Sequence, residues 1–260
     1  MKKAAYLIRK AFTMVLRGDF SLLMRNMLKF LSQLWYRYVY ELIFRRDARR
    51  WLSETSVRGQ AESVYTQAKN SPGGIFTPMQ NDEEFLSLLH HVFDTQQVKN
   101  VMEIGSYNGG SLFCFTRMAQ PGGIVISVDL PGGFFGGGCT KWKTELFRLF
   151  GDKTQTMVLI RGNSHDEELP EHMRAILNGE KLDFLFIDGD HTYAGVKQDF
   201  SMYSPFVRSG GYVAFHDIIP SNKGVAVCNV KPLWDELKTK FKYAEFLQSG
   251  NIGIGVVKLP

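Results

Sequence analysis

Five short groups of polar residues in this sequence could do chemistry, and each lies at the end of an apolar stretch. The first is V-M-E-I-G-S-Y-N-G-G-S at 101–111, in which an acidic residue precedes a turn containing Gly105 and Gly109. Glycine at these two positions lets backbone approach a ligand without a side chain in the way. The turn predicts a site for a nucleotide-like cofactor after a first parallel strand.

The other four groups follow in chain order. Asp129 ends a second apolar stretch, Gly162-Asn163-Ser164-His165 forms a polar turn, Asp188-Gly189-Asp190-His191 forms an acidic turn, and His216-Asp217 closes a further stretch. An acid at the position of Asp129 can accept hydrogen bonds from both hydroxyls of a ribose. Because ligands of open α/β sheets bind at the carboxyl ends of the strands, the five groups are expected to share one site.

The elements that must position these groups alternate between strand and helix. Hydrophobic periodicity and capping residues predict strands at 98–104, 124–129, 156–161, 182–188 and 211–216, helices at 82–93, 111–118, 140–150, 170–177, 194–203 and 230–241, and a terminal hairpin from 243–247 and 252–257. Alternating elements with right-handed crossovers predict an α/β fold: a doubly wound, seven-stranded, mostly parallel sheet with a C-terminal β-hairpin.

Length and composition predict one core with an appendage. The 260 residues are 44% hydrophobic, enough to bury a single ample core. We expect a basic amphipathic helical extension at 1–58, a linker or a lid at 59–80, and a cofactor-binding domain at 81–260. The three cysteines fit neither a disulfide framework nor a zinc pattern, so they are expected to be neutral thiols in a reducing, cytoplasmic compartment.

The basic charge is concentrated at the N-terminus. Residues 1–50 hold twelve Lys and Arg against three acidic residues, a local charge of +9, whereas the whole chain carries +5. Apolar residues recur there at helical spacing. Three interpretations remain open: helices packed on the core or on a second subunit of a homo-oligomer, a helix on the inner face of an anionic membrane, or a nucleic-acid arm. The acidic balance of residues 51–260 disfavours nucleic acid as a partner.

The ordered motifs resemble a known family. The run at 101–111 is similar to motif I of class I S-adenosylmethionine-dependent methyltransferases, specifically the metal-dependent catechol O-methyltransferase type. The likeness continues through G-N-S-H-D at 162–166 and F-I-D-G-D-H at 186–191. Asp199 and S-G-G-Y-V-A-F-H-D at 209–217 resemble a bacterial branch that includes macrocin and mycinamicin sugar O-methyltransferases and cephalosporin hydroxylase-type proteins. The resemblance covers roughly 76–260 and implies a Rossmann-like methyltransferase fold.

It also implies roles for the residues of the first three groups. The methionine end of S-adenosylmethionine would be surrounded by Glu103, Gly105, Ser106, Tyr107, Gly109 and Ser111. Asp129 would hold the ribose, Asn163, Ser164 and His165 would border the adenine, and Asp188 would complete the cofactor site. The residues alone leave other readings open: Glu103 and Asp129 as caps of turns, and His165 as a solvated loop residue.

The acidic groups predict a divalent cation. A sugar or aliphatic hydroxyl is a poor nucleophile at neutral pH, and a bound cation that lowers its pKa would help it attack a sulfonium methyl group. Asp188 and Asp217 follow neighbouring strands and are expected to converge as oxygen ligands. His191 lies where the resembled family keeps its general base, and an imidazole suits that role. Alternatively, Asp188 and Asp190 cap a helix and His191 is a buried hydrogen-bonded ring.

His216 departs from the resembled pattern. Relatives present two adjacent carboxylate or amide ligands after the fifth strand, whereas this chain has His216-Asp217. Imidazole at this position favours manganese over magnesium, with His216 as a third ligand. Otherwise His216 stays outside the coordination shell, and Asp190 or water takes its place.

The acceptor is the least specified part of the prediction. The resemblance implies an O-methyltransferase acting on a hydroxyl of a sugar, glycan or secondary metabolite. A glycine-rich loop at 131–138 would either close over that acceptor or serve as a plain connection. The alternative function is a non-methylating, cofactor-binding partner of a hydroxylase or glycan-assembly complex. The presence of Asp188, His191 and Asp217 argues against that alternative.

Overall fold

A computed structural model of the chain describes residues 41–55, 58–132, 140–220, 228–248 and 253–260. Two compact units are distinguished, Met1–Arg50 and Trp51–Pro260. The predictions for residues 1–40, and those for most of the glycine-rich loop, lie outside the described residues. In the first unit, only the beginning of helix α1, Glu41–Glu54, is described.

The second unit is built on a seven-stranded mixed sheet. Its strands are β1 (Val101–Ile104), β2 (Ile124–Asp129), β3 (Thr156–Arg161), β4 (Leu182–Ile187), β5 (Val207–His216), β6 (Lys242–Phe246) and β7 (Ile254–Lys258). Their order across the sheet is β3-β2-β1-β4-β5-β7-β6. The first five strands are mutually parallel, whereas β7 runs antiparallel to both β5 and β6. The predicted doubly wound sheet and C-terminal hairpin are confirmed.

Helices cover this sheet between successive strands. In the second unit they are α2 (Ala61–Lys69), α3 (Asp82–Leu89), α4 (Gly110–Met118), α5 (Lys141–Phe147), α6 (Leu169–Leu177), α7 (Tyr193–Tyr203) and α8 (Lys231–Lys238). The side chain of Asn81 accepts hydrogen bonds from the backbone N–H groups of Glu83 and Glu84, which fixes the start of α3. The helix then continues into a π-helical turn, His90–Asp94.

The central strands are buried along their whole length. Every residue of β1 and β4 is buried, as expected for parallel strands covered on both faces. The run L-D-F-L-F-I of β4 therefore carries mostly apolar side chains, and its one acid, Asp183, accepts hydrogen bonds from the backbone N–H groups of Lys99 and Asn100 at 2.8 Å. This rigid centre holds the carboxyl ends of β1 and β4 in fixed positions.

The structure differs from the prediction between residues 59 and 80. The sequence predicts a linker or a lid there and no helix, but the structure has helix α2, whose buried face is formed by Ala61, Val64, Tyr65 and Ala68. Their spacing is helical, yet two of the four are alanines, whose weak apolar contrast hides the pattern between Gly59 and Pro72. The second compact unit thus includes the stretch from Trp51 onward.

Two further features are the hydrophobicity of the helices and the state of the cysteines. Among the described residues, no helix is long and apolar enough to cross a bilayer. Cys114 and Cys228 are both free, and Cys114 is fully buried. Burial raises the pKa of the Cys114 thiol, so Cys114 is a neutral core residue as expected.

Candidate active site

The glycine turn after β1 brings the chain against the end of β4. Gly105 has φ = +87°, and a Cβ atom added there would lie 2.1 Å from the backbone oxygen of Asp188. Gly109 has φ = +84°, and a Cβ atom there would lie 2.5 Å from the ring of Phe147. Both positions therefore require glycine for two reasons, the left-handed backbone and the lack of room.

Glu103 lies beneath this turn with no exposed surface. One carboxyl oxygen accepts a short hydrogen bond from Ser111 Oγ at the start of α4. The other oxygen, Oε2, is buried and has no hydrogen-bond partner among the described residues. Burial raises the pKa of Glu103 to about 8, against hydrogen bonds from Ser106 and Ser111 that lower it. Glu103 thus keeps one buried carboxyl oxygen without a partner among the described residues.

Asp129 stands at the end of β2, on the opposite side of the turn. Its Oδ2 accepts a hydrogen bond of 2.8 Å from the backbone N–H of Tyr107. Burial raises the pKa of Asp129, although the hydrogen bond from Tyr107 lowers it. Tyr107 has φ = +47°, an uncommon conformation for a non-glycine residue. The carboxylate therefore fixes the conformation of the turn.

A small, open cleft lies beside the turn. It is lined by Thr77, Met79, Gln80, Gly105, Ser106, Tyr107, Asn108, Gly110, Ser111 and Asp188. A Cβ atom on Gly110 would lie 2.6 Å from the backbone nitrogen of Pro78, so the chain before α3 packs directly on the start of α4. Five of the lining residues are among the predicted cofactor residues. One of these five, Asp188, also belongs to the cluster of predicted metal ligands.

The predicted metal ligands come together at the ends of β4 and β5. His216 Nδ1 lies 3.0 Å from Asp188 Oδ1 and 3.1 Å from Asp217 Oδ1. Burial alone would lower the pKa of His216, but the charge of Asp188 and the hydrogen bond to it raise it. Asp217 Oδ1 is buried and lacks a well-formed hydrogen bond to any described residue. Two carboxylate oxygens and one imidazole nitrogen thus form a donor set suited to a divalent cation.

His191 borders the same cluster. A short hydrogen bond joins its Nδ1 to Asp217 Oδ2, and its Nε2 lies 3.6 Å from Asp188 Oδ1. Burial opposes protonation of His191, but its hydrogen bonds with Asp217 and Cys228 and the charges of Asp188 and Asp217 together outweigh burial and raise the pKa to about 11. Asp217 has φ = +61°. The hydrogen bond from His191 lowers the pKa of Asp217 against the effect of burial.

Gln80 contacts the cluster of predicted metal ligands, whereas Asp190 does not contribute to it. Gln80 Nε2 donates a hydrogen bond of 2.7 Å to Asp188 Oδ2, which orients that carboxylate from outside the sheet. Asp190 instead accepts a hydrogen bond from the backbone N–H of Thr192 and packs against Gly195 at the start of α7. Of the two arrangements considered for His216, the geometry favours His216 over Asp190 as the third member of the cluster.

The turn after β3 is held by α7. Asn163 Oδ1 accepts a hydrogen bond of 3.1 Å from the backbone N–H of His165. His165 Nε2 lies 3.2 Å from Oδ1 of Asp199, a carboxylate with no exposed surface. Tyr203, one helical turn after Asp199, donates a short hydrogen bond to the backbone oxygen of Ser164. Burial raises the pKa of Asp199 to about 6, and nearby His165 opposes that rise.

Sequence reasoning missed parts of this site. It assigned Gln80 to a linker, and no motif marks a glutamine at that position. It noted Asp199 only within the family resemblance, without assigning it a contact. Cys228 is a free thiol whose pKa is raised by burial, in agreement with the expected neutral thiol, but its place 3.0 Å from Asp217 Oδ2 was not predicted. The helical spacing between Asp199 and Tyr203 is the one signal that could have predicted a shared task.

The residues present fit both groups that the fold family implies. For the cofactor, the unpartnered Glu103 Oε2 and two glycines without room for a side chain form a polar cradle. For the cation, Asp217 Oδ1 is buried and makes no well-formed hydrogen bond to a described residue. The His216 imidazole lies between this oxygen and Asp188 Oδ1, 3.1 Å from the first and 3.0 Å from the second. An unsatisfied buried carboxylate oxygen is costly unless a ligand completes it.

Comparison with known proteins places this geometry in context. Residues 102–218 match the family described as a methyltransferase domain. An uncharacterized protein of Acanthamoeba polyphaga mimivirus is 34% identical over 134 residues, which cover 51% of this chain and 57% of that protein. The chain thus spans just over half the length of this curated relative.

Solved structures share the fold. The O-methyltransferase TomG from Streptomyces achromogenes, involved in tomaymycin synthesis and solved with S-adenosylmethionine, has a TM-score of 0.52 at 16% identity, covering 81% of this chain and 95% of its own. The MycE methyltransferase of the mycinamycin pathway, solved with Mg and S-adenosylhomocysteine, has a TM-score of 0.51 at 18% identity, covering 78% of this chain and 55% of its own. These likenesses establish the class I methyltransferase fold.

Proposed function

We propose that this protein transfers the methyl group of S-adenosylmethionine to a hydroxyl of a sugar, glycan or secondary metabolite, with the help of a divalent cation, Mg²⁺ or Mn²⁺. The match of residues 102–218 to a methyltransferase domain family supports this proposal. One observation carries the proposal. Asp188 lines the cleft above the glycine turn and is also a member of the cluster with His216 and Asp217. A donor in the cleft and an acceptor held at the cluster would therefore be neighbours.

The chain's own residues divide the work of holding the donor. Glu103 would receive the amino group of the methionine end through its unpartnered oxygen, and the Ser111 hydroxyl would turn from Glu103 to donate to the methionine carboxylate. Asp129 would accept from the ribose hydroxyls while it keeps its bond to Tyr107. Ser164 and His165 would border the adenine, with Asp199 fixing the imidazole. S-adenosylmethionine itself supplies the sulfonium methyl group.

The cluster would hold the acceptor oxygen. Asp188, Asp217 and His216 would bind the cation, which when bound lowers the pKa of an acceptor hydroxyl. Gln80 keeps Asp188 in place by occupying its second oxygen. A cation bound there would offset the charge of both carboxylates and weaken their pull on the His191 proton, which would favour the neutral imidazole that a general base needs.

His191 would act as the general base. Asp217 holds Nδ1, so Nε2 is the nitrogen that would take the hydroxyl proton. This arrangement, an imidazole oriented by a carboxylate on its far nitrogen, selects the tautomer needed for proton removal. MycE, which shares the fold, has been solved with Mg and with mycinamycin VI. That neighbour supports a hydroxylated natural product as the acceptor class.

Calorimetry and a labelled transfer assay test the proposal together. Full-length protein is titrated with S-adenosylmethionine with and without Mn²⁺, and methyl transfer from labelled cofactor is followed over a panel of nucleotide sugars and glycans. We expect micromolar binding, turnover with at least one acceptor and loss of turnover in excess EDTA. Asp217→Asn should lose cation binding, whereas Asp235→Asn, an exposed acid on α8, should not. Absence of cofactor binding would refute the function, and full turnover in EDTA would remove the cation from it.

A further inference from the structure

Cys228 lies against the catalytic cluster without a part in the chemistry proposed above. Its Sγ is 3.0 Å from Asp217 Oδ2 and 3.7 Å from His191 Nδ1. The next residue, Asn229, donates a backbone hydrogen bond of 2.7 Å to the carbonyl oxygen of His191. The chain is therefore tied to the His191 turn at this point, and the thiol is held beside the imidazole.

The carboxylate of Asp217 faces two different donor sets. Its Oδ1 faces His216 and Asp188, the oxygen-rich set to which the catalytic cation is assigned. Its Oδ2 faces His191 and Cys228, a set with one sulfur, one nitrogen and one oxygen. The two sets share Asp217 but use different oxygens of it and otherwise different side chains.

The second set has the chemistry of a soft-metal site. Zn²⁺ is bound by Cys, His and Asp, and three protein ligands with a fourth open position are common. Bond lengths of about 2.0 Å to nitrogen and 2.3 Å to sulfur place the two donors about 3.5 Å apart on a tetrahedral ion. The observed Cys228–His191 separation of 3.7 Å already matches this value. The contacts of Asp217 Oδ2 with His191 and with Cys228 are shorter than the separation of two ligands on one ion, so both would widen to admit it.

We propose that Cys228, His191 and Asp217 Oδ2 form a second cation site, which takes a thiophilic divalent ion such as Zn²⁺ and overlaps the catalytic cluster. On binding, the Cys228 thiol and His191 Nδ1 each give up a proton to solvent; the thiolate becomes one ligand and the freed lone pair of Nδ1 becomes the second. Cys228 and His191 are only partly buried, so solvent can complete the shell. Thiolate ligation selects this ion over Mg²⁺.

Occupancy of this site would inhibit methyl transfer. The ion would take Nδ1 of His191 from Asp217 and withdraw electron density from the ring, so Nε2 would become a weaker base. It would also pull Asp217 away from His216. This consequence rests on the proposed function, whereas the existence of the site does not.

Cobalt substitution tests the site independently of turnover. Co²⁺ alone is added to the full-length protein under reducing, metal-free conditions, and the near-ultraviolet thiolate-to-cobalt charge-transfer band is recorded. We expect the band in the wild type, its loss in Cys228→Ser and its retention in Cys139→Ser. Zn²⁺ added afterwards should remove it. A wild type without the band, or a band that survives in Cys228→Ser, overturns the proposal, because the Asp188–His216–Asp217 set contains no sulfur.

A second measurement needs no variant. Wild-type protein is alkylated with iodoacetamide with and without Zn²⁺, and modification of Cys228 is followed by peptide mass spectrometry. Protection of Cys228 by Zn²⁺ but not by Mg²⁺ supports the site, and equal alkylation with and without Zn²⁺ overturns it. In a Mg²⁺-supported transfer assay, the Zn²⁺ concentration for half inhibition should rise more than about tenfold in Cys228→Ser, since even a residue that only orients a metal ligand is worth that much. Equal inhibition of both proteins would refute the inhibitory role while the cobalt band still decides the site.

Discussion

Gln80 donates a hydrogen bond of 2.7 Å to Asp188 Oδ2 and so joins the chain before α3 to the end of β4. The other oxygen of Asp188 faces His216. Each oxygen of this carboxylate is thereby oriented by a different partner, one outside the sheet and one on the neighbouring strand. Residues that orient a metal ligand in this manner contribute to metal affinity almost as the ligands do.

Gln80→Ala should therefore weaken cation binding. Without the amide, Asp188 can rotate away from His216, and we expect Mn²⁺ affinity to fall by about 10- to 100-fold. Titration calorimetry with Mn²⁺ measures the change. Gln248→Ala, which alters an exposed glutamine bonded to Glu83, is the matched control. Unchanged affinity in Gln80→Ala would show that Asp188 is held without the amide.

Gly105→Ala should damage folding and cofactor binding more than its backbone conformation explains. Gly179 has the same φ of +87° but nothing within 4 Å of an added Cβ, whereas at Gly105 that atom would lie 2.1 Å from the Asp188 backbone. We expect Gly179→Ala to cost about 1 kcal/mol and Gly105→Ala more than about 3 kcal/mol of unfolding free energy. Chemical denaturation measures both. Equal costs would mean that the turn gives way to the methyl group.

Glu103 should make the stability of the ligand-free protein fall as pH rises. The native carboxyl keeps its proton up to about pH 8, whereas the unfolded one loses it near 4.5, so between these values the native state holds the extra proton. Unfolding free energy should decline by on the order of a few kcal/mol across this window and level off above it. Glu103→Gln should flatten the profile. Denaturation at pH 5, 6.5 and 8 compares the two proteins.

The same ionisation should govern cofactor affinity. A cationic amino group pairs with the ionised form of Glu103, so below pH 8 binding must first displace a proton. We expect the affinity for S-adenosylmethionine to rise with pH up to about 8 and then to level off. Calorimetry in buffers of different ionisation enthalpy counts the proton released. Binding without proton release would place the amino group elsewhere.

Asp199→Asn should raise KM for S-adenosylmethionine with little change in kcat. The substitution keeps the size of the side chain but weakens its hold on the His165 ring, 3.2 Å away. In the proposed function this ring borders the adenine and would not touch the transferred methyl group. An increase in KM of roughly tenfold is expected for loss of a buried, charge-assisted contact. Glu236→Gln, an exposed acid on α8, serves as the control. A fall in kcat with constant KM would contradict a role at the adenine.

The sequence was sufficient for the sheet and for the residues that follow its strands. β2 and β3 begin and end where predicted, because each is a short apolar run bounded by glycine, polar residues or an acid. Asp188 and Asp217 were expected to converge, since neighbouring parallel strands end at one edge, and their cluster with His216 has this placement.

The contacts made between distant segments could not be predicted. Gln80 and Asp188 are 108 residues apart, and neither the amide nor its position carries a periodic or motif signal. Cys228 gave no sign of its neighbours either, because its spacing to His191 and Asp217 follows no metal-binding pattern. Such pairings depend on the path that each loop takes over the sheet. The pattern of residue types along the sequence does not predict that path.

The left-handed backbone conformation of Asp217 limits the amino acids that this position can accept. At φ = +61° only glycine, asparagine and aspartate are comfortable, and aspartate alone brings a negative charge. Glutamate, the usual conservative replacement, would keep the charge but would be strained in this left-handed backbone conformation. The backbone conformation and the need for a negative charge thus favour the same amino acid, so few substitutions at position 217 would preserve both.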